Sequence, residues 1–281
     1  MALPHYASTL ERIWHYGYLL LCGFIFLFLM APILVIIPLS FNAEPYFTFT
    51  EGMLNFDSAA YSLRWYQDII NNDMWILSIK NSLIVGLAAT VLATVLGTVA
   101  ALGLSRPHMP YRGLIMGVLL SPMIVPLIIT AAGVYFFYAR MGLTGNLWGL
   151  IFAHTALGTP FVVITVTATL ASFDRSLILA GLSLGANQTR VFFKIIMPLI
   201  LPGVISGALF AFVTSFDEVV VALFLSGAEE RTIPRQMWSG IREQISPTIL
   251  AVATLLVIFS ILLLTAVELL RRRSEKIKGM G

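Results

Sequence analysis

Residues 141–173, MGLTGNLWGLIFAHTALGTPFVVITVTATLASF, run for 33 positions without Lys, Arg, Asp or Glu. A helix needs roughly 20 apolar residues to cross the hydrocarbon layer. Five more uncharged runs flank it: Gly17–Phe41 with 25 residues, Asn81–Ser105 with 25, Gly113–Ala139 with 27, Ile195–Phe216 with 22 and Gln244–Val267 with 24. Lipid offers no partner to free backbone groups, so these runs read as spanning helices, not strands. The expected fold class is an all-α membrane protein of six transmembrane helices. Of the 281 residues 58% are hydrophobic and 11% charged, where soluble domains carry about 25%.

The same residues exclude several functions. Cys22 stands alone, so no internal disulfide and no structural metal site follows from it. The net charge of +3 gathers at the ends of apolar runs, where a membrane surface, not nucleic acid, explains it. There is no G-x-x-x-x-G-K-[ST], H-E-x-x-H or G-x-S-x-G, and His5, His15, His108 and His154 are widely separated. No catalytic residues and no metal ligands are therefore assigned. His154, within a spanning run, is expected to hydrogen-bond inside the bundle. The first run is too long for the apolar part of a signal peptide and reads as a retained helix.

Placing the amino terminus in the cytoplasm puts Arg12, Arg106, Arg112, Arg175, Arg190, Lys194, Arg271, Arg272, Arg273, Lys276 and Lys278 inside, 11 of the 17 basic residues. Arg64, Lys80, Arg140, Arg231, Arg235 and Arg242 remain outside. That bias sets both termini in the cytoplasm. It gives a lead over 1–16, a membrane domain over 17–270 and a basic tail over 271–281.

Within the runs, Ala89, Ala93, Gly97 and Ala101, and again Gly203, Gly207, Ala211 and Ser215, recur at every fourth position and predict close-packed ridges. Pro122 with Pro126, and Gly158 with Pro160, predict kinks in the third and fourth helices. Residues 62–71, with Trp65 and Tyr66, read as a short interfacial helix. Asp217 and Glu218 are expected in the outer part of a fifth helix continuing to about Ser226. A carboxylate there costs at least about 2.5 kcal/mol and must face a cavity, a partner or water. The spacing puts Glu218 nearer the ridge and turns Asp217 elsewhere. One assignment places Asp217 on a solute pathway and Glu218 in helix packing; the other makes both structural. An acid on the pathway favours a cationic solute. Tyr135, Phe136, Phe137 and Tyr138 either add cation–π contacts or form an interfacial aromatic belt.

The loop between the fourth and fifth runs, residues 171–202, reads ASFDRSLILAGLSLGANQTRVFFKIIMPLILP. Asp174 is placed as one N-cap, Gly185 as a helix end, Asn187 as a second N-cap and Pro198 as the close of a second short helix. The resulting elbow exposes Leu182, Leu184, Val191 and Phe192 beside Arg190 and Lys194. It is either a docking surface or an interfacial hairpin lying on lipid.

This loop resembles the signature loop of binding-protein-dependent ABC importer permeases: Glu-Ala-Ala, three residues, Gly, nine residues, Ile, one residue, Leu-Pro. Here it reads Leu179-Ala180-Gly181, then Gly185, Ile195 and Met197-Pro198, without a gap. Trp65-Tyr66, Asn81-Ser82-Leu83 and Ser215-Phe216-Asp217-Glu218 with Val219–Val221 are similar to the branch serving polyamines, opines and phosphonates. The resemblance spans about Trp65 to Leu270. It implies a permease whose last five helices form the core and which has no cofactor of its own, ATP and Mg being bound by separate ATPase subunits. The implied partners are a second permease chain, two ATP-binding subunits, a periplasmic solute-binding protein and membrane lipid. The coupling loop over 172–198 is implied to dock on the ATPase through Leu179, Ala180, Gly181, Leu184, Gly185, Arg190, Phe192 and Pro198. Leu179 stands where the pattern has glutamate, so docking is expected to lean on apolar packing. Asp217, Glu218, Tyr135, Tyr138 and Trp65 are the pathway candidates. The implied solute is a polyamine such as putrescine or spermidine, with an opine or phosphonate as the alternative. An ion channel or ion-coupled carrier would instead use Asp217 and Glu218 to bind cations.

Overall fold

The structure is a computed structural model that describes residues 8–106, 108–171, 173–174, 176–243 and 246–277. Residues 1–7 of the lead, Arg175, and the side chains of the tail from Arg271 onward lie outside the described residues. The chain divides into two compact units, one formed by residues 1–71 with 244–281 and the other by residues 72–243.

In the first unit, α1 (Thr9–Leu39) starts eight residues before the uncharged run because a capping box opens it. The Glu11 N–H donates to Ser8 Oγ at 3.3 Å, and the Ser8 N–H donates back to the Glu11 carboxylate at 2.7 Å. The helix carries exposed apolar side chains on all sides, among them Leu20 and Phe28, as a lipid-facing helix does. A short α2 (Glu51–Leu54) and α3 (Arg64–Asn71) follow. Thr248 Oγ1, in the first turn of α13 (Thr248–Ile277), donates to Asp68 of α3 at 2.7 Å.

The second unit is built around three helices, α4 (Asp73–Leu104), α7 (Leu147–Ala171) and α10 (Met197–Phe216). Ala93 and Ala101 of α4, Val162 and Val166 of α7, and Ile200 of α10 are fully buried in one cluster. The small-residue ridges hold this packing. A Cβ on Gly97 would come within 2.6 Å of the Val162 Cβ, and one on Gly207 within 2.8 Å of the Val162 Cα. On α7 the hydroxyls of Thr155, Thr159 and Thr165 donate to the carbonyls of Ile151, Thr155 and Phe161 of the same helix at 2.7, 2.7 and 3.0 Å.

The third run is not one kinked helix. It is two, α5 (Arg112–Ile124) and α6 (Leu127–Met141), set at 103°. Val125 between them is extended, as a residue before proline prefers, and Pro126 has no N–H to continue the ladder. α7, by contrast, runs through Gly158 and Pro160 as one helix. Among the described residues, five helices are long and apolar enough to cross a membrane, and six spans result when α5 and α6 count as one.

The rest of this unit is the elbow, α8 (Ser176–Ser183) and α9 (Gln188–Val191), followed by α11 (Val220–Leu225) and α12 (Ile233–Glu243).

Candidate functional site

The fifth helix stops earlier than its hydropathy suggests. α10 ends at Phe216, Asp217 closes it by donating its N–H to the Val213 carbonyl at 3.0 Å, and α11 starts only at Val220. Asp217 and Glu218 therefore lie in a helix break, which corrects the expectation of one helix running to Ser226. Glu218 explains the break. Its carboxylate accepts the N–H groups of Val221 at 2.8 Å and Ala222 at 3.0 Å, doing for α11 what a carbonyl of the preceding turn would otherwise do. One of its oxygens is 3.6 Å from His154 Nε2, and His154 Nδ1 is 2.9 Å from Ser215 Oγ. Glu218 is 6% exposed and His154 1%. Asp217, next in the chain, is exposed.

Asp217 and Glu218 line a cavity of 660 Å³ together with Thr214, Leu157, Phe161 and the stretch Pro122–Leu127. The cavity thus joins the break between α5 and α6 to the break between α10 and α11. Bent backbone at membrane depth is tolerated where it lines such a space. Chemically, the site offers one accessible carboxylate in a largely apolar surround, an environment suited to an organic cation.

The other pathway candidates lie elsewhere. Tyr135 meets Phe224 edge-on at 6.5 Å. Tyr138 packs on the cluster containing Leu150, Val221 and Leu225. Trp65, in the first unit, is buried, donates Nε1–H to the Asn42 carbonyl at 2.7 Å and carries the Arg64 guanidinium 4.2 Å over its ring. None of the three lines the cavity. Sequence reasoning missed Phe161, Thr214 and the meeting of the two breaks. The Pro122–Pro126 spacing was the available signal for the first break.

The elbow opens with Asp174, whose carboxylate accepts the Ser176 N–H at 2.9 Å and the Ser176 hydroxyl at 2.7 Å. These bonds, the backbone one first, hold its carboxyl below the usual carboxylate range. Gly185 adopts φ +82° and ends α8, with Leu184 N–H donating to Ala180 O and Ala186 N–H to Gly181 O, each at 3.1 Å. Asn187 Oδ1 accepts the Arg190 N–H at 2.8 Å and starts α9. Two expectations are corrected here. Val191 is 2% exposed, because it packs toward Gly181, where a Cβ would lie 2.7 Å from Ile195 Cδ1 and 3.3 Å from Val191 Cγ2. Pro198 closes nothing, since a π turn over Phe192–Ile196 leads straight into α10 with Pro198 in its first turn. Leu179, Leu184, Ala180 and Arg190 face outward, Leu179 at 65% and Leu184 at 88% exposure. Gly181 faces inward, and Phe192 is half-buried beside Leu102, Arg106 and Leu170 in a cavity of 440 Å³.

Residues 93–276 match the family described as binding-protein-dependent transport system inner membrane component. The chain is 30% identical over 251 residues to the spermidine/putrescine transport system permease protein PotC of Haemophilus influenzae, covering 89% of this chain and 95% of that one. To the putrescine transport system permease protein PotI of Escherichia coli K12 it is 32% identical over 246 residues, 85% of this chain and 84% of the relative. A solved bacterial ABC transporter involved in import of the acidic polysaccharide alginate superposes with a TM-score of 0.74 over 95% of this chain and 99% of its own, at 18% identity, a likeness of fold. Because the family match runs from the middle of α4 into α13, through both helix breaks and the elbow, this chain belongs to the inner membrane components of binding-protein-dependent transport systems.

Proposed function

We propose that the chain is one permease subunit of an ATP-driven importer that carries a polyamine, putrescine or spermidine, from periplasm to cytoplasm. The observation that carries this reading is the exposed carboxylate of Asp217 on a cavity bounded by two helix breaks. The polyamine names of relatives at 30% and 32% identity support the same cargo. In this reading both termini are cytoplasmic, residues 17–270 form the permease domain, and the loop over 172–198 carries force from the ATPase. A second, non-identical permease completes the pathway, two ATPase subunits bind ATP and Mg beneath it, and a periplasmic binding protein delivers the solute. This chain holds no cofactor of its own.

The mechanism follows from the parts. Asp217 attracts the ammonium group by a Coulomb interaction that the apolar walls strengthen. Glu218 is held by Val221 and Ala222 and fixes where α11 begins, so it shapes the cavity. Movement of the elbow is passed directly to α10, because the π turn and α10 are continuous with α9. ATP shifts the balance between inward- and outward-open states only by binding the two differently.

The test is uptake of labelled putrescine by cells lacking other polyamine importers and supplied with this chain, its partner permease, its ATPase and its binding protein. Uptake is expected, with about a ten-fold or greater fall at subsaturating putrescine for Asp217→Asn. Absence of polyamine uptake in the complete system overturns the cargo assignment. Unchanged uptake by Asp217→Asn removes that residue from the pathway.

A further inference from the structure

α7 and α10 pack antiparallel in a single register. Gly207 lies against Val162, a Cβ on Gly158 would come within 3.0 Å of the Ala211 Cβ, and His154 Nδ1 meets Ser215 Oγ at 2.9 Å. Each step is four residues on both helices, so the small ridge of α10 brings Ser215 opposite His154 one residue before α10 ends. The first two rungs are apolar and the third is an imidazole, 1% exposed.

A buried ring nitrogen without a bond is costly, so both nitrogens need a partner. Nδ1 has Ser215. Nε2 has no hydrogen-bond partner among the described residues and faces Glu218 Oε2 at 3.6 Å. Both Glu218 oxygens already accept backbone N–H groups, Oε1 from Val221 and Oε2 from Ala222. A bare Nε2 would set lone pair against lone pair, so this nitrogen fits only as a donor, and Nδ1 is left to accept the Ser215 O–H.

Ser215 and Glu218 are the two ends of the arch by which the chain leaves α10. The bonds from Val221 and Ala222 fix Glu218 to α11, on the far side of the break; the imidazole adds a reference to α7. One ring thus faces both ends of residues 215–218, and Asp217 lies between them, exposed to the cavity. We infer that His154 is a positioning residue for transport: with its proton on Nε2, directed at Glu218, and with Nδ1 accepting from Ser215, it pins both ends of this arch and sets where the Asp217 carboxylate stands. The inference rests on the proposed function, in which Asp217 meets the solute.

The experiment uses the full transporter in vesicles with loaded binding protein and counts putrescine carried per ATP hydrolysed. A merely structural role lowers both quantities together and leaves their ratio constant. His154→Phe, which keeps a flat ring without donors, and Ser215→Ala, which keeps the small side chain the ridge needs, are each expected to lower the ratio about five-fold. His154→Gln, whose amide keeps an N–H for Glu218, is expected to fall between. In the Asp217→Asn background, His154→Phe is expected to change the ratio less than about two-fold, because both act through one carboxylate. A constant ratio in both single variants overturns the inference, as does a full additional loss in the double variant. Nitrogen-15 spectra of the histidine-labelled complex test the tautomer directly. The signal that moves in Ser215→Ala is expected to show a protonated Nε2 and a bare Nδ1, and the reverse pattern overturns the inference. If Asp217→Asn alone changes neither uptake nor ratio, the assignment of Asp217 to the pathway is wrong, whatever His154 does.

Discussion

Asp217 and Glu218 are neighbours with opposite fates. Glu218 is buried under two backbone N–H groups and beside His154, whereas Asp217 opens to the cavity. Removing the Glu218 carboxylate strands two buried donors, each costing about 1–3 kcal/mol. Glu218→Ala should therefore lower the thermal midpoint of the purified complex by several degrees, while Asp217→Asn should leave it unchanged and lose uptake. Melting curves and transport assays on the two variants separate these roles. The sequence set Glu218 nearer the ridge by its spacing from Ser215, but that spacing assumes a helix that in fact ends at Phe216. It did not carry the break itself, because the break depends on a side chain replacing a backbone acceptor and on His154, 64 positions earlier in the chain. Periodicity along a single helix contains no such term.

The elbow shows the same division among elements. Asp174, Gly185 and Asn187 act through their own neighbours in sequence, so local capping chemistry was enough to locate them. Pro198 was misread because the π turn over Phe192–Ile196, with Met197 N–H reaching Phe192 O, carries the helical path through Pro198 into α10 without a break. Gly185 has φ +82°, so Gly185→Val should strain the joint by at least about 1 kcal/mol and weaken ATPase binding, with Gly185→Asn milder. Pull-down of the ATPase at graded concentrations measures both. Leu179→Glu should weaken the same binding by about ten-fold in the proposed docking by apolar packing, because burying a charge without a partner is costly. The Asp174 carboxyl is held below its ordinary range, so its contribution to α8 is present above that range and lost as pH falls through the lowered value. Amide-exchange protection of residues 177–180 should drop at acid pH in the native chain, and Asp174→Asn should remove that dependence.

At the scale of the molecule, six uncharged runs were sufficient to count the spans, because the length of a helix and the thickness of a bilayer are both fixed quantities. How the spans pack was less legible. Ridges of small residues marked which faces come close, but not which helices meet. The chain reconstituted alone should pass neither ions nor putrescine, and flux assays on vesicles holding only this subunit test that; conduction would favour a channel. The hydroxyls of Thr155, Thr159 and Thr165 return their protons to α7 itself. If α7 slips along the helices it packs against, none of these three protons is stranded. These hydroxyls add no polar tie across the interface, so a slide of α7 along α10 has the His154–Ser215 hydrogen bond, and not theirs, to break.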